Sequence, residues 1–168
     1  MHPIDWQILS ILQEDGKTTY GDLAKRVGLS QAAAHERVKK LEARGVIKGY
    51  RAVVDAEALG YGVVAFVFVD NAAFDQPDLP KRLEAVPNVL ECHAVAGEWG
   101  YLLKVRAEST SDLERVLHEI RTVDGVTRTQ SVIGLSTAFE TTMLPTPVVA
   151  EVDDADEPAQ LKTRRKSA

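Results

Sequence analysis

Apolar positions recur at helical spacing through the first fifty residues and at strand spacing in much of the chain beyond residue 62. Ile4, Ile8, Ile11 and Leu12 form one stripe with Leu9 at its margin, which predicts a helix over 3–15. Pro3 suits the first turn, where its missing N–H costs nothing, and Asp5 sits near the positive end of the helix dipole. Trp6 reads as packing rather than as a site. Leu23, Ala24 and Val27 make a second, shorter stripe, and Gly28 follows it directly. Glycine closes a helix in the left-handed conformation at no steric cost. Leu29 can plug the corner, and Ser30 can cap a third helix by accepting from a free backbone N–H. Ala34, Val38 and Leu41 then line that helix's inner face. The stretch 20–44 has the punctuation of a helix-turn-helix.

The third helix carries a different chemistry on its other faces. Gln31, His35 and Lys39 lie four residues apart, flanked by Arg37, Lys40 and Arg44. A recognition helix must be small and apolar where it docks and must carry donors where it meets base edges and phosphates. Gln31, His35 and Lys39 are therefore expected to probe the major groove, with Ser30, Arg37, Lys40, Arg44 and Arg51 positioned on phosphates. The competing reading is an ordinary helical hairpin with a solvated basic face; the alanine-rich start and basic far end favour DNA.

After Gly45, alternation over 48–55 predicts a strand or wing, 56–59 one helical turn, and Gly60-Tyr61-Gly62 a hinge. Residues 63–69 (VVAFVFV) read as a buried strand, and 71–77 as a loop. A helix over 78–85, strands over 89–96 and 101–107, a helix from the Ser109–Ser111 caps to Thr122, and a strand over 126–139 complete the pattern. The order β-α-β-β-α-β is the ferredoxin-like arrangement, so the fold class is α+β. Such a sheet leaves one face without helices, and a face this rich in Val, Phe and Leu predicts a dimer through the sheets. The expected organisation is a helix-turn-helix domain over 1–50, a strand and linker over 51–62, and a βαββαβ domain over 63–144. A disordered tail follows over 145–168, where prolines, the acidic cluster 153–157 and the basic run 162–166 leave little to form a core.

Charge sharpens this division. Residues 1–50 hold eight Lys or Arg against six Asp or Glu, whereas 51–168 hold twelve against nineteen, so a mildly basic reader joins an acidic body. The overall charge of −5 is no obstacle, because phosphate binding depends on the local patch. A single cysteine, Cys92, rules out an internal disulfide framework, and on a strand its side chain points away from that of His93. His2 and His118 read as surface positions, and four scattered histidines point to no metal site. No cofactor is implied. Without a signal-like start or a long apolar run, the expectation is a cytoplasmic protein with no membrane partner.

The start IDWQILSILQEDGKTTYGDLAKRVGLS, the run RVKKLEARGVIKGYRAVVD and the following LGY resemble the Lrp/AsnC family of prokaryotic transcription regulators. The second half is similar to that family's regulatory (RAM-type) domain through VPNVLECHAVAGEWGYLLKV and IRTVDGVTRTQSVIGLST. The resemblance runs from about residue 3 to 144. It implies a winged DNA-binding domain, sheet-mediated homodimers that assemble further, up to octamers, and a small-molecule effector, usually an amino acid, that modulates DNA binding or assembly. It places the effector near the turn Gly97-Glu98-Trp99-Gly100-Tyr101, where Glu98 could answer an α-ammonium, with Thr129, Gln130 and Ser131 as polar neighbours. Gly100 stands where the family commonly has Asp. Two alternatives differ in kind. One is an architectural DNA binder that ignores effectors. The other is an enzyme like the tetrapyrrole decarboxylases of similar architecture, whose basic, histidine-lined pocket the region 61–107 lacks. A non-enzymatic regulator is the favoured reading.

Overall fold

A computed structural model describes residues 1–71 and 77–147. The chain divides into two compact units: Met1–Ala52 together with the segment from Thr141, and Val53–Glu140. Most of the loop expected over 71–77, and the expected tail from 148 onward, lie outside the described residues.

The first unit holds three helices, α1 (Pro3–Glu14), α2 (Tyr20–Arg26) and α3 (Gln31–Ala43). Ile8, Ile11, Leu23, Val27, Val38 and Leu41 form its core, so each sequence stripe turns inward as expected. The corner between α2 and α3 follows from local chemistry. Gly28 takes φ +68°, and the Leu29 N–H bonds back to the Ala24 carbonyl at 2.9 Å, the six-residue closure that glycine allows. Ser30 Oγ accepts from the Ala33 N–H at 3.2 Å and starts α3. At the front of α1, His2 is exposed, as expected, and is also the N-cap. Its Nδ1 accepts from the Ile4 N–H at 3.2 Å, while the His2 N–H donates to Asp5 Oδ2 at 3.2 Å.

The strand expected over 48–55 does not form. A β-ladder needs a neighbouring strand for its N–H and C=O groups, and the described chain offers this segment none. Tyr50, Val53 and Val54 stay exposed, Val53 almost completely. The segment 48–55 thus has no β-partner among the described residues. Asp55 Oδ1 caps the following turn at Glu57 and Ala58.

The second unit contains β1 (Val63–Asn71), α4 (Leu79–Glu84), β2 (Val89–Ala94), β3 (Tyr101–Ala107), α5 (Thr110–Thr122) and β4 (Val126–Gly134). The sheet order is β2-β3-β1-β4, antiparallel throughout, the ferredoxin-like order that the element sequence predicts. Ala65, Val67 and Val69 of β1 and Leu103, Val105 and Ala107 of β3 pack with Leu79, Leu83, Leu113, Val116 and Ile120 of the helices. Cys92 packs against this core and burial pushes its thiol up, whereas His93 is exposed. β4 ends at Gly134, not at residue 139. Gly134 pairs with Val64, at the start of β1. Beyond that register no strand is left to pair with, so Leu135 and Phe139 are exposed.

Among the described residues, no helix covers the opposite face of the sheet. Phe66 and Val132, partners across β1 and β4, are 39% and 49% exposed there. Beside them Lys104 pairs with Glu91 at 3.4 Å and with Glu140, and Arg106 Nη2 pairs with Glu140 at 2.9 Å. The charges on this face are therefore matched within one protomer. No helix among the described residues is long and apolar enough to cross a membrane.

Candidate functional site

The reading surface is the solvent side of α3. Gln31, Lys39, Lys40 and Arg44 are exposed, and His35 is half-buried. The His35 ring stands edge-on to Tyr20 at 4.7 Å between centroids, so the first residue of α2 fixes its orientation. Arg37, Lys40 and Arg44 line one cleft of about 320 Å³ with Asp5, Ala33, Glu36 and Leu41. Lys39, Lys40, Arg44, Lys48 and Arg51 form no ion pair among the described residues, the state a phosphate-contacting cation needs. Arg51 lies in the extended segment, away from α3 in sequence and exposed.

Arg37 differs from the rest. Its Nη1 donates to Asp5 Oδ1 at 2.8 Å, and Asp5 is the one buried charged residue among the described residues. The pair ties the start of α1 to the middle of α3. Removing Arg37 leaves a carboxylate with little access to water, so Arg37→Ala is expected to cost about 2 kcal/mol of stability. A denaturant melt reads this directly. A loss below a few tenths of a kcal/mol, with DNA binding still reduced, would return Arg37 to the phosphate-contacting set.

Tyr50 adds a second strut, donating from its hydroxyl to Glu42 Oε1 at 3.0 Å. Burial first, then the hydrogen bond and charge of Glu42, push its phenol from the ordinary value of 10 up to about 12. The folded state favours the neutral phenol. The stability from this shift is thus fully present below pH 10 and is lost as pH rises to about 12. An ultraviolet difference titration should show a late-ionising tyrosine that Tyr50→Phe removes. Absence of the late phase would contradict the contact.

The turn between β2 and β3 is held at both ends. The Val95 N–H donates to the Gly100 carbonyl and the Gly100 N–H donates to the Val69 carbonyl, each at 3.1 Å, with Gly97 at φ +131°. The antiparallel register splits the polar residues of β4. Ser131 pairs with Val67 and Thr129 with Val69, both on the helix-covered side, and Thr129 Oγ1 accepts from Arg121 Nε at 3.2 Å. Gln130 pairs with Phe68 on the open side, facing the same way as Trp99. Tyr101 pairs with Val69 and packs toward the core, away from Trp99. The expected effector residues therefore fall into two sets, with Trp99 and Gln130 on the open side and Tyr101, Thr129 and Ser131 on the other.

A residue missing from the sequence reading organises the open set. Arg128 lies over the Trp99 ring at 4.1 Å, while Trp99 packs on Phe68 at 5.8 Å between centroids. Arg128 Nη2 also reaches Glu98 Oε1 at 3.0 Å and Asp70 Oδ2 at 3.6 Å. The two-residue alternation from Gln130 was the signal that could have found it. Gly100 has a steric reason. A Cβ there would come within 2.5 Å of Asn71 Oδ1, so a side chain at 100 requires the Asn71 amide to turn aside. The negative charge near the turn comes from Glu98 and Asp70 instead.

Comparison with known proteins fits both halves. Residues 1–48 match a winged helix-turn-helix DNA-binding model, and residues 64–144 match the Lrp/AsnC ligand binding domain. The transcriptional regulator LrpA of Mycobacterium tuberculosis is 44% identical over 137 residues, covering 81% of this chain and 91% of that protein. An HTH-type transcriptional regulator of Pyrococcus horikoshii is 37% identical over 142 residues, covering 84% and 94%. The solved feast or famine regulatory protein of M. tuberculosis, complexed with L-methionine, has a TM-score of 0.80 at 42% identity and covers 86% of this chain and 97% of its own. Two such halves in this order define a DNA-binding transcription regulator with a ligand-binding domain. The chain belongs to the Lrp/AsnC family.

Proposed function

We propose that this regulator reads its operator with Gln31, His35 and Lys39 and holds phosphates with Ser30, Lys40, Arg44 and Arg51, with Arg37 acting mainly as a strut. In this reading residues 1–50 bind DNA, 51–62 link, and 63–144 bind effector and build the oligomer. The open sheet face pairs with a second copy, dimers assemble further, and the protein works in the cytoplasm beside the chromosome without catalysing a reaction.

The effector is a small zwitterion, an amino acid, bound at the turn 97–101. The Arg128 cluster carries the reading: two carboxylates, one guanidinium and an aromatic face converge on one turn. A zwitterion can exchange partners with that set, its carboxylate taking Arg128 and its ammonium taking Glu98 or Asp70. Effector binding then works by linkage, shifting the assembly whose reading heads fit the operator. The test is thermal melting against the twenty amino acids, with wild type and Arg128→Ala compared. A ligand at about 100 times its dissociation constant adds about 2.7 kcal/mol, so at least one amino acid should raise the wild-type midpoint and not that of the variant. A flat panel would favour the effector-independent DNA binder.

A further inference from the structure

The first unit contains an apolar cavity of about 370 Å³ that no step above uses. Leu9, Leu12 and Ile47 line it from the edge of the helical core, together with Trp6, Val46 and Tyr50. The chain returns here after the second unit, and Leu144 and the two residues after it complete the lining. Gln13 fixes their place. Its side chain accepts from the Leu144 N–H at 2.7 Å and donates to the Leu144 carbonyl at 3.1 Å, a two-point grip across 131 residues. Small-ligand pockets have volumes of about 300–1,000 Å³ and apolar or aromatic walls with few polar groups, and this cavity has both properties. Its lining comes from residues 1–50 and 144–146, whereas the ligand-binding-domain match covers 64–144. It shares no residue with the Arg128 cluster.

We propose that this cavity is a second small-molecule site, and that it takes an apolar carboxylic acid lacking an amino group. The charge of the lining selects that class. Lys48 is the one charged side chain among the lining residues, and it forms no ion pair among the described residues. No carboxylate side chain lines the cavity. Glu42, which the Tyr50 hydroxyl reaches at 3.0 Å, is engaged there and is not a lining residue. Both polar ends of the Gln13 side chain are engaged by Leu144. A carboxylate can thus pair with the Lys48 ammonium while its hydrocarbon part meets Trp6, Leu9 and Leu12. An ammonium carried by the same ligand meets no anion, and a charge left unpaired against apolar walls is strongly disfavoured. The Arg128 cluster has the opposite balance, two carboxylates to one guanidinium, and suits a zwitterion. The two sites therefore separate an amino acid from its counterpart without the amino group. This assignment holds whether or not α3 reads DNA.

The test follows the indole cross-peak of Trp6, assigned with Trp6→Phe, in the full chain. The probes are hydrocinnamate and isocaproate, set against phenylalanine and leucine, the same skeletons with an amino group added, and against phenethylamine. The two acids should shift the Trp6 peak saturably and leave that of Trp99 in place. The two amino acids and the amine should leave the Trp6 peak where it is. Lys48→Met should weaken binding of the acids several-fold, and the difference from wild type should shrink with added salt. Val46→Trp, at a position already 38% exposed, should fill the cavity and abolish the shift. A Trp6 peak that neither acid moves overturns the site. Equal shifts by the acids and the amine, or undiminished binding by Lys48→Met, overturn the assignment to carboxylic acids. A Trp6 peak that moves with protein concentration alone places a second copy in the cavity and overturns the site as well.

Discussion

Phe66→Asp is expected to convert the protein to monomers while leaving the fold of each protomer intact. Phe66 is already 39% exposed on the helix-free face, so the unit itself loses little packing. The expected loss falls on the assembly. Burying the exposed two-fifths of a phenylalanine contributes about 0.6–1.2 kcal/mol, an aspartate buried in its place adds about 1–2 kcal/mol of desolvation, and a two-fold interface counts each substitution twice. The dimer should weaken by about 3–6 kcal/mol, or about two to four decades in dissociation constant. The ion pairs of Lys104 and Arg106 with Glu91 and Glu140 are satisfied within one protomer and impose no unpaired charge on the interface. Sedimentation with a parallel circular-dichroism melt separates the two effects. A variant that stays dimeric with a normal melt would move the interface elsewhere, the exposed segment at Val53 and Val54 being the next place to look.

The second large effect is expected on α3. Gln31→Ala should cost about 1–3 kcal/mol at one base pair and relax specificity there. Arg44→Ala should instead weaken every sequence alike and lower the salt slope by about one. In a dimer both effects double. The contrast comes from geometry: Gln31 opens the helix at the end that enters a groove in this motif, and Arg44 caps its far end. Equal loss on all sequences from Gln31→Ala would mean that another face of the helix meets the bases.

Much of this architecture is legible in the sequence because its signals are local. Gly28 and Ser30 announce the corner by conformational freedom and capping, and β3 begins and ends where its alternation does. What escaped the sequence is long-range. The end of β4 depends on where β1 starts, since a strand stops when its partner does. The segment 48–55 has no β-partner among the described residues, so alternation alone could not make it a strand. Thr129, Gln130 and Ser131 were neighbours in sequence, but register sends them to two faces and brings Arg128 to the turn. Arg37 reads as one more cation on a basic helix until the fold places Asp5, 32 residues away, beneath it. Nothing in the sequence announces the grip of Gln13 on Leu144.

A regulator of this kind must distinguish one DNA sequence from another, and a small molecule must alter that distinction. Fluorescence anisotropy of the full chain on the DNA upstream of its own coding sequence, against a scrambled duplex at the same salt, measures both when repeated with each amino acid. The expected result is a preference of about a thousandfold or more, shifted by at least one amino acid and no longer shifted in Arg128→Ala. Equal affinities for the two duplexes, with a steep salt dependence and no response to any amino acid, would contradict it.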